Sequence, residues 1–374
     1  MEAGKTEKTA EVEKARPRFC AMTALLGLDT TLKKGIFCMY VLLWVSSHLL
    51  VYASKLAGAP DYNVTSVVLL TEAIKLMMAV ALYLWNDGDA TQLRFAVGSS
   101  RPLLIKYSVP ALLYCIYNNL VYVNLSSFDP GTYNVLMQVR IVMTGLLYQW
   151  LFSKRLNRNQ WIAIVLITLG CMCKESAKLT SAPTLHANVR AWLTLLTQLL
   201  ASVFAGVYTE LLLKGPAGPG VTTNLQNAYM YAHSVLWNSA FLLVQGRLGE
   251  AISAHNLAVV FSPTLLTIMA IMSTVGLVTG FFLKHLDSVL KSVASATEVV
   301  LTMMLAAVIF GTPLDLTSVT SAVIVGGGVA LYARPIREAR GFSGATSEEG
   351  AELLAHEAGS DAPPDGSQPS EHTS

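Results

Sequence analysis

Two apolar runs of matching length, each with a charge near its middle, constrain this chain more than any other feature. DPGTYNVLMQVRIVMTGLLYQWLF begins at Asp129 and holds Arg140; DSVLKSVASATEVVLTMMLAAVIF begins at Asp287 and holds Glu298. Setting Asp129 on Asp287 fixes an offset of 158 residues (287 − 129), which also carries Tyr133 onto Lys291, Arg140 onto Glu298, Phe152 onto Phe310 and Gly170 onto Gly328. The runs read as two copies of one membrane helix. A charge at the centre of such a helix costs roughly 2.5–3.5 kcal/mol even on the lenient insertion scale, so it usually faces a cavity and acts on a solute. Repeated membrane units with ionisable residues at equivalent depth point to a transporter.

Composition agrees. Of 374 residues 53% are hydrophobic and only 13% charged, against about 25% charged in an ordinary soluble domain. About ten apolar stretches approach the roughly 20 residues that a bilayer crossing needs: 36–57, 64–85, 103–124, 130–152, 159–174, 188–213, 224–245, 264–284, 289–311 and 316–334. The expected fold is an all-α polytopic membrane protein of about ten transmembrane helices. Five spans followed by five related spans would make two inverted repeats, because an odd number of crossings turns the second copy over. The expected organisation is a cytosolic tail (1–35), a first repeat (36–175), a lumenal connection (176–187), a second repeat (188–335) and a disordered cytosolic tail (336–374) rich in Gly, Ser, Pro and acid.

Orientation follows from the Lys and Arg in the short loops. Lys33, Lys34, Arg94, Arg101, Lys154, Arg155, Arg158, Lys214, Arg334, Arg337 and Arg340 fall on one side for an even span count, and Lys174, Lys178, Arg190 and Arg247 on the other. Both termini are therefore expected in the cytosol. Asn63-Val64-Thr65 and Asn124-Leu125-Ser126 match the glycosylation pattern on the lumenal side but abut spans, which argues against their use. The first 34 residues are polar and contain no cleavable signal, so the first apolar run would serve as the targeting signal. The five cysteines Cys20, Cys38, Cys115, Cys171 and Cys173 give neither a disulfide framework nor a metal spacing. No cofactor or metal is implied, and a net charge of +2 points to no nucleic-acid partner.

The segment LLYCIYNNLVYVNLSSFDPGTYNVLMQVRIVMTG resembles the nucleotide-sugar transporter family, in its CMP-sialic acid and UDP-galactose branch. LLTEAIKL at 69–76, FAGVYTELLLK at 204–214, LQNAYMY at 225–231 and FFLKHLDSVLKSVASA at 281–296 extend the resemblance over residues 36–334. It implies a drug/metabolite transporter-like fold. The implied activity is that of a Golgi antiporter, importing a UDP-sugar, UDP-galactose first, into the lumen in exchange for UMP by alternating access. The implied partners are a nucleotide sugar, a nucleoside monophosphate and membrane lipid, with homo-oligomers or glycosyltransferase association as further alternatives.

A nucleotide sugar presents a base, a ribose, anionic phosphate and a sugar, so its site needs stacking rings, amides and cations. The spacing puts Tyr114 and Asn118 on one helical face, as it does Asn227 and Tyr231. By resemblance, Tyr114, Asn118 and Asn119 fall at the base, Tyr133, Asn227 and Tyr231 contact nucleotide, and Lys291 takes phosphate. Arg140 stands where the family pattern has a lysine, and Glu298 where it has a small residue. Either Arg140 binds phosphate or Glu298 holds it in the empty carrier. Glu72 and Lys75, at i and i+3, read either as a structural pair or as part of the substrate path. Glu210 with Lys214 reads as an interfacial pair, and Lys284 with Asp287 as a cap on the turn they flank. Small residues at Gly326–Gly328 and at Ser292, Ala294, Ser295 and Ala296 read as helix contacts.

An enzyme is not expected. The interspan loops are short, His186, His233, His255 and His285 make no metal-spaced pair, and no nucleophile motif is present. A Golgi scaffold without transport is the alternative of another class, and UDP-N-acetylhexosamine or CMP-sialic acid are the alternative cargoes.

Overall fold

A computed structural model describes residues 28, 30–56, 64–128, 130–176 and 188–333. Of the expected N-terminal tail only 28 and 30–35 are described, and of the loop at 176–187 only Ser176; the C-terminal tail 336–374, with Asn63, Asp129, Cys20 and His186, lies outside the described residues. Among the described residues there are helices and turns and no strand. The helices are α1 (Thr31–Leu56), α2 (Val64–Asn86), α3 (Ala90–Ser99), α4 (Arg101–Lys106), α5 (Ser108–Leu125), α6 (Pro130–Met137), α7 (Arg140–Phe152), α8 (Arg158–Ser176), α9 (Val189–Lys214), α10 (Thr223–Val244), α11 (Leu248–Ala251), α12 (Ala254–Val260), α13 (Pro263–His285), α14 (Ser288–Phe310) and α15 (Leu316–Tyr332).

Each apolar stretch read from the sequence is helical over most of its described residues. Six helical segments in the described residues are long and apolar enough to cross a membrane: Thr31–Ser54, Ser66–Asn86, Thr132–Phe152, Val189–Lys214, Pro263–His285 and Ser288–Phe310. Local chemistry sets the ends. Asn188, Thr222, Asp287 and Asp315 cap α9, α10, α14 and α15, each accepting from the backbone N–H three residues on. α13 opens on Pro263, whose missing N–H costs nothing in a first turn. α14 stops at Gly311, where φ of +66° suits a residue without a Cβ.

The offset of 158 extends well beyond the two runs that suggested it. It carries Thr31–Leu56 onto Val189–Lys214, both limits of α1 onto both limits of α9, and Pro130–Phe152 onto Ser288–Phe310. The packing follows the same exchange. α1 lies on α13 and α14 as α9 lies on α5 and α7; α2 meets α13 as α10 meets α5; α2 with α10, and α8 with α15, pack across the centre. At the α8–α15 contact a Cβ on Gly170 would sit 2.7 Å from Val325 Cγ2, and one on Gly328 2.7 Å from Ile167 Cγ1. Ile167 and Val325 are themselves 158 apart, so the two contacts are images of each other. Within the Gly326–Gly328 triplet only Gly328 is crowded; Cβ atoms on its neighbours would meet nothing within 4 Å.

Two departures break the symmetry. The expected single helix over 130–152 is interrupted at Gln138–Val139, where i→i−3 bonds to Val135 and Leu136 tighten the backbone just before Arg140. Its copy, α14, runs through. The stretch expected as one span over 103–124 is likewise divided, into α4 and α5 at Tyr107. The second departure is in packing: α9 also touches α13 and α14, and α10 touches α13, with no comparable contact of α1 with α5, α6 or α7, or of α2 with α5, among the described residues.

Candidate functional site

A cavity of about 690 Å³ lies between the two halves, lined by residues of α1, α2, α5–α10, α13 and α14. Its walls carry the rings of Trp44, Tyr114, Tyr117 and Tyr231, the amides of Asn118, Asn134, Gln138 and Asn227, and the charged groups of Glu72, Lys75, Arg140, Glu175, Lys291 and Glu298. Such a mixture of stacking surface and a few convergent polar groups is the usual make-up of a small-molecule site.

The charges are arranged unequally. Lys75 Nζ donates to Glu72 Oε1 at 2.6 Å and lies 5.6 Å from the centre of the Tyr231 ring. Glycines make this arrangement fit. A Cβ at Gly276 would meet Lys75 Cε at 2.8 Å and Tyr231 Oη at 2.9 Å, and one at Gly280 would collide with the amide of Asn227. Glu298, with its side chain 6% exposed, meets His48 Nδ1 at 2.7 Å through Oε1, and Thr302 Oγ1 donates to the same oxygen at 3.0 Å. His48 stacks on Trp44 with ring centres 5.5 Å apart. Arg140 and Lys291, by contrast, have no carboxylate oxygen within 4.0 Å among the described residues. The cavity therefore presents two cations whose charge the fold leaves available to an anion.

At one end of the bundle three helix termini are bonded together. Glu210, fully buried, takes Lys214 Nζ at 2.7 Å on one oxygen and the backbone N–H of Ser288 at 2.7 Å on the other. Lys284 Nζ donates to the carbonyl of Leu213. The end of α9, the end of α13 and the start of α14 are thus joined. Burial pushes the Asp287 carboxyl above its usual range while the Leu290 N–H bond pulls it back. At the opposite end the repeat mate of Glu210 is Tyr52, whose ring packs on Phe310 at 5.2 Å.

The nucleotide-sugar transporter family profile matches residues 29–333. This chain belongs to the nucleotide-sugar transporter family. The transporter is 37% identical over 338 residues to the UDP-galactose transporter senju of Drosophila melanogaster, covering 81% of this chain and 86% of that one. It is 28% identical over 305 residues to CMP-sialic acid transporter 2 of Oryza sativa subsp. indica, covering 80% and 83%. It is 28% identical over 295 residues to the UDP-galactose translocator of Mus musculus, covering 76% and 73%. A crystal structure of a protein at 15% identity superposes with a TM-score of 0.60, over 88% of this chain and all of that one, which bears on the fold alone. The family is one of transporters, not of enzymes.

In this transporter Tyr114, Asn118, Arg140, Asn227, Tyr231, Lys291, Glu72, Lys75 and Glu298 all line the one cavity. Asn119 and Tyr133 do not. Asn119 is one residue past the Tyr114–Asn118 face, about 100° around the helix, and donates instead to the Cys115 carbonyl at 2.8 Å. Tyr133 is buried and accepts from Gln198 Nε2 at 2.8 Å. Gln198 also takes Asn124 Nδ2 at 2.6 Å, and Thr194 Oγ1 donates to Asn124 Oδ1 at 2.7 Å, so a polar chain fastens the α5–α6 corner to α9. Asn124 is fully buried by these bonds, which removes it as a sugar acceptor. The alternative in which Glu298 holds Arg140 is not what the fold contains; His48 occupies that carboxylate. His48 escaped the sequence reading because a single histidine in an apolar run gives no sign of which helix it meets.

Proposed function

We propose that this transporter is a Golgi antiporter that brings a UDP-sugar, UDP-galactose preferred, into the lumen in exchange for UMP. The observation that carries the reading is the pair of uncompensated cations, Arg140 and Lys291, on α7 and α14, helices related by the 158-residue repeat and facing one cavity. Removing a cation from water is costly unless it is paired, so a site that leaves two of them without carboxylates suits a di-anionic phosphate. Tyr114, Asn118, Asn227 and Tyr231 supply rings and amides for a base. The 37% identity to the UDP-galactose transporter senju, against 28% to CMP-sialic acid transporter 2, supports UDP-galactose over CMP-sialic acid. UDP-N-acetylhexosamine is the next cargo to test.

The mechanism we infer is alternating access by two inverted five-helix repeats around this cavity, in a chain whose termini both lie in the cytosol. The matched helix limits and the mirrored Gly170–Val325 and Gly328–Ile167 contacts support the repeat. The joined helix ends hold Lys214 and Lys284, on the side that the loop charges assign to the cytosol, and in this reading the joint parts when the cavity opens there. Site residues Tyr114, Asn118, Arg140, Asn227, Tyr231 and Lys291 bind nucleotide, and the Glu72–Lys75 pair holds Tyr231 in place. Uptake of labelled UDP-galactose into proteoliposomes, preloaded with UMP, CMP or buffer, tests this. Stimulation by internal UMP is expected; a folded protein that admits no nucleotide sugar under any preload would leave a non-transporting scaffold as the reading.

A further inference from the structure

Glu298 is anomalous in a cavity read as binding an anion. It stands on the same helix as Lys291, seven residues on, which brings it back to the same face about 10.5 Å further along the axis. Its Oε1 is occupied by His48 and Thr302, whereas no hydrogen-bond partner of Oε2 is recorded among the described residues, and that oxygen is not closed off from the cavity. His48 offers a second polar edge: its side chain is 46% exposed, and its Nε2 likewise has no partner recorded among the described residues.

We propose that Glu298 and His48 form the subsite for the sugar, and that they select an uncharged sugar over one bearing a carboxylate. The inference rests on the transport reading above, which places the phosphates at Arg140 and Lys291. In a sugar nucleotide the sugar is joined directly to the terminal phosphate, so the wall two helical turns beyond the phosphate cation is where its hydroxyls arrive. A carboxylate oxygen accepts only, which suits hydroxyl donors. Fixed by His48 and Thr302, it meets them without rearrangement. The same group repels a hexuronate or a sialate, and a like charge placed against the wrong ligand is an effective way to build discrimination. Arg140 makes no ion pair with Glu298, since none of its nitrogens is within 4.0 Å of a Glu298 oxygen.

UDP-glucose and UDP-glucuronate differ only by oxidation at one sugar carbon and make the decisive pair. Purified full-length carrier in UMP-loaded proteoliposomes would be offered each in competition with labelled UDP-galactose, with rates normalised to UMP self-exchange in the same preparation. We expect wild type to prefer UDP-glucose on the order of tenfold or more, and Glu298→Gln to bring the ratio within about threefold. Equal competition in wild type, or an unchanged ratio in Glu298→Gln, would overturn the subsite. Glu298→Ser provides the same comparison if the glutamine variant does not fold, and the wild-type ratio decides without any variant. Retained UMP self-exchange without discrimination refutes this inference alone. Loss of all exchange in wild type refutes the transport reading, and this inference with it.

Discussion

Replacing Lys291 with methionine isolates the phosphate contact. Methionine keeps most of the length and apolar stem of lysine, and because no carboxylate lies within 4.0 Å of Lys291 among the described residues, no partner is left stranded. Removing an unpaired charge from a membrane helix costs the fold nothing and should hold or raise the thermal midpoint. The ligand loses one charge-assisted hydrogen bond, about 1.5–3 kcal/mol, while Arg140 keeps its own. That corresponds to UMP binding weakened roughly 10- to 150-fold. Calorimetric titration of the purified protein with UMP and with uridine would read it. Uridine, which has no phosphate, should bind both proteins alike. The reasoning fails if UMP binding weakens less than about threefold, or if uridine binding falls as far as UMP binding.

Gly328→Ala places a methyl 2.7 Å from Ile167 Cγ1 and 3.2 Å from the Ala163 carbonyl, so overpacking of about 1–3 kcal/mol should lower the thermal midpoint; an unchanged midpoint would mean that α8 and α15 part easily. Glu210→Ala leaves the Ser288 N–H and Lys214 without their acceptor, at about 1–3 kcal/mol, and should speed labelling of a cysteine at Thr209 by an impermeant thiol reagent from the Lys214 side. Labelling at the parent rate would remove the joint as a gate. Deglycosylation of an Asn63→Gln protein should give no mobility shift, since Asn124 is fully buried and bonded at both ends of its amide; a shift would show that the α5–α6 corner opens.

Much of this architecture could be read from the residues because apolar length and offset are one-dimensional properties. The limits of α1, α2, α9, α10, α13 and α14 fall within a few residues of the apolar stretches, except that α1 starts five residues early, at Thr31. The break before Arg140 was not legible, because neither proline nor glycine marks Gln138–Val139. Facing residues across helices were also beyond reach. The offset makes Arg140 and Glu298 mates, which suggested a pair, but mates share depth rather than contact, and α1 supplies His48 to Glu298 instead. Tyr133 illustrates the same limit. Its mate Lys291 lines the cavity on an unbroken helix, whereas Tyr133 rides on the short α6, whose corner with α5 is drawn to α9 by Asn124 and Gln198.

The central claim is that one cavity between the halves holds the nucleotide by its phosphate. A crystal structure of the full chain soaked with UMP tests it most directly. The account predicts phosphate density between the Arg140 guanidinium and the Lys291 ammonium, with the base among Tyr114, Asn118, Asn227 and Tyr231. Nucleotide bound elsewhere, or bound here with its phosphate away from both cations, would contradict it.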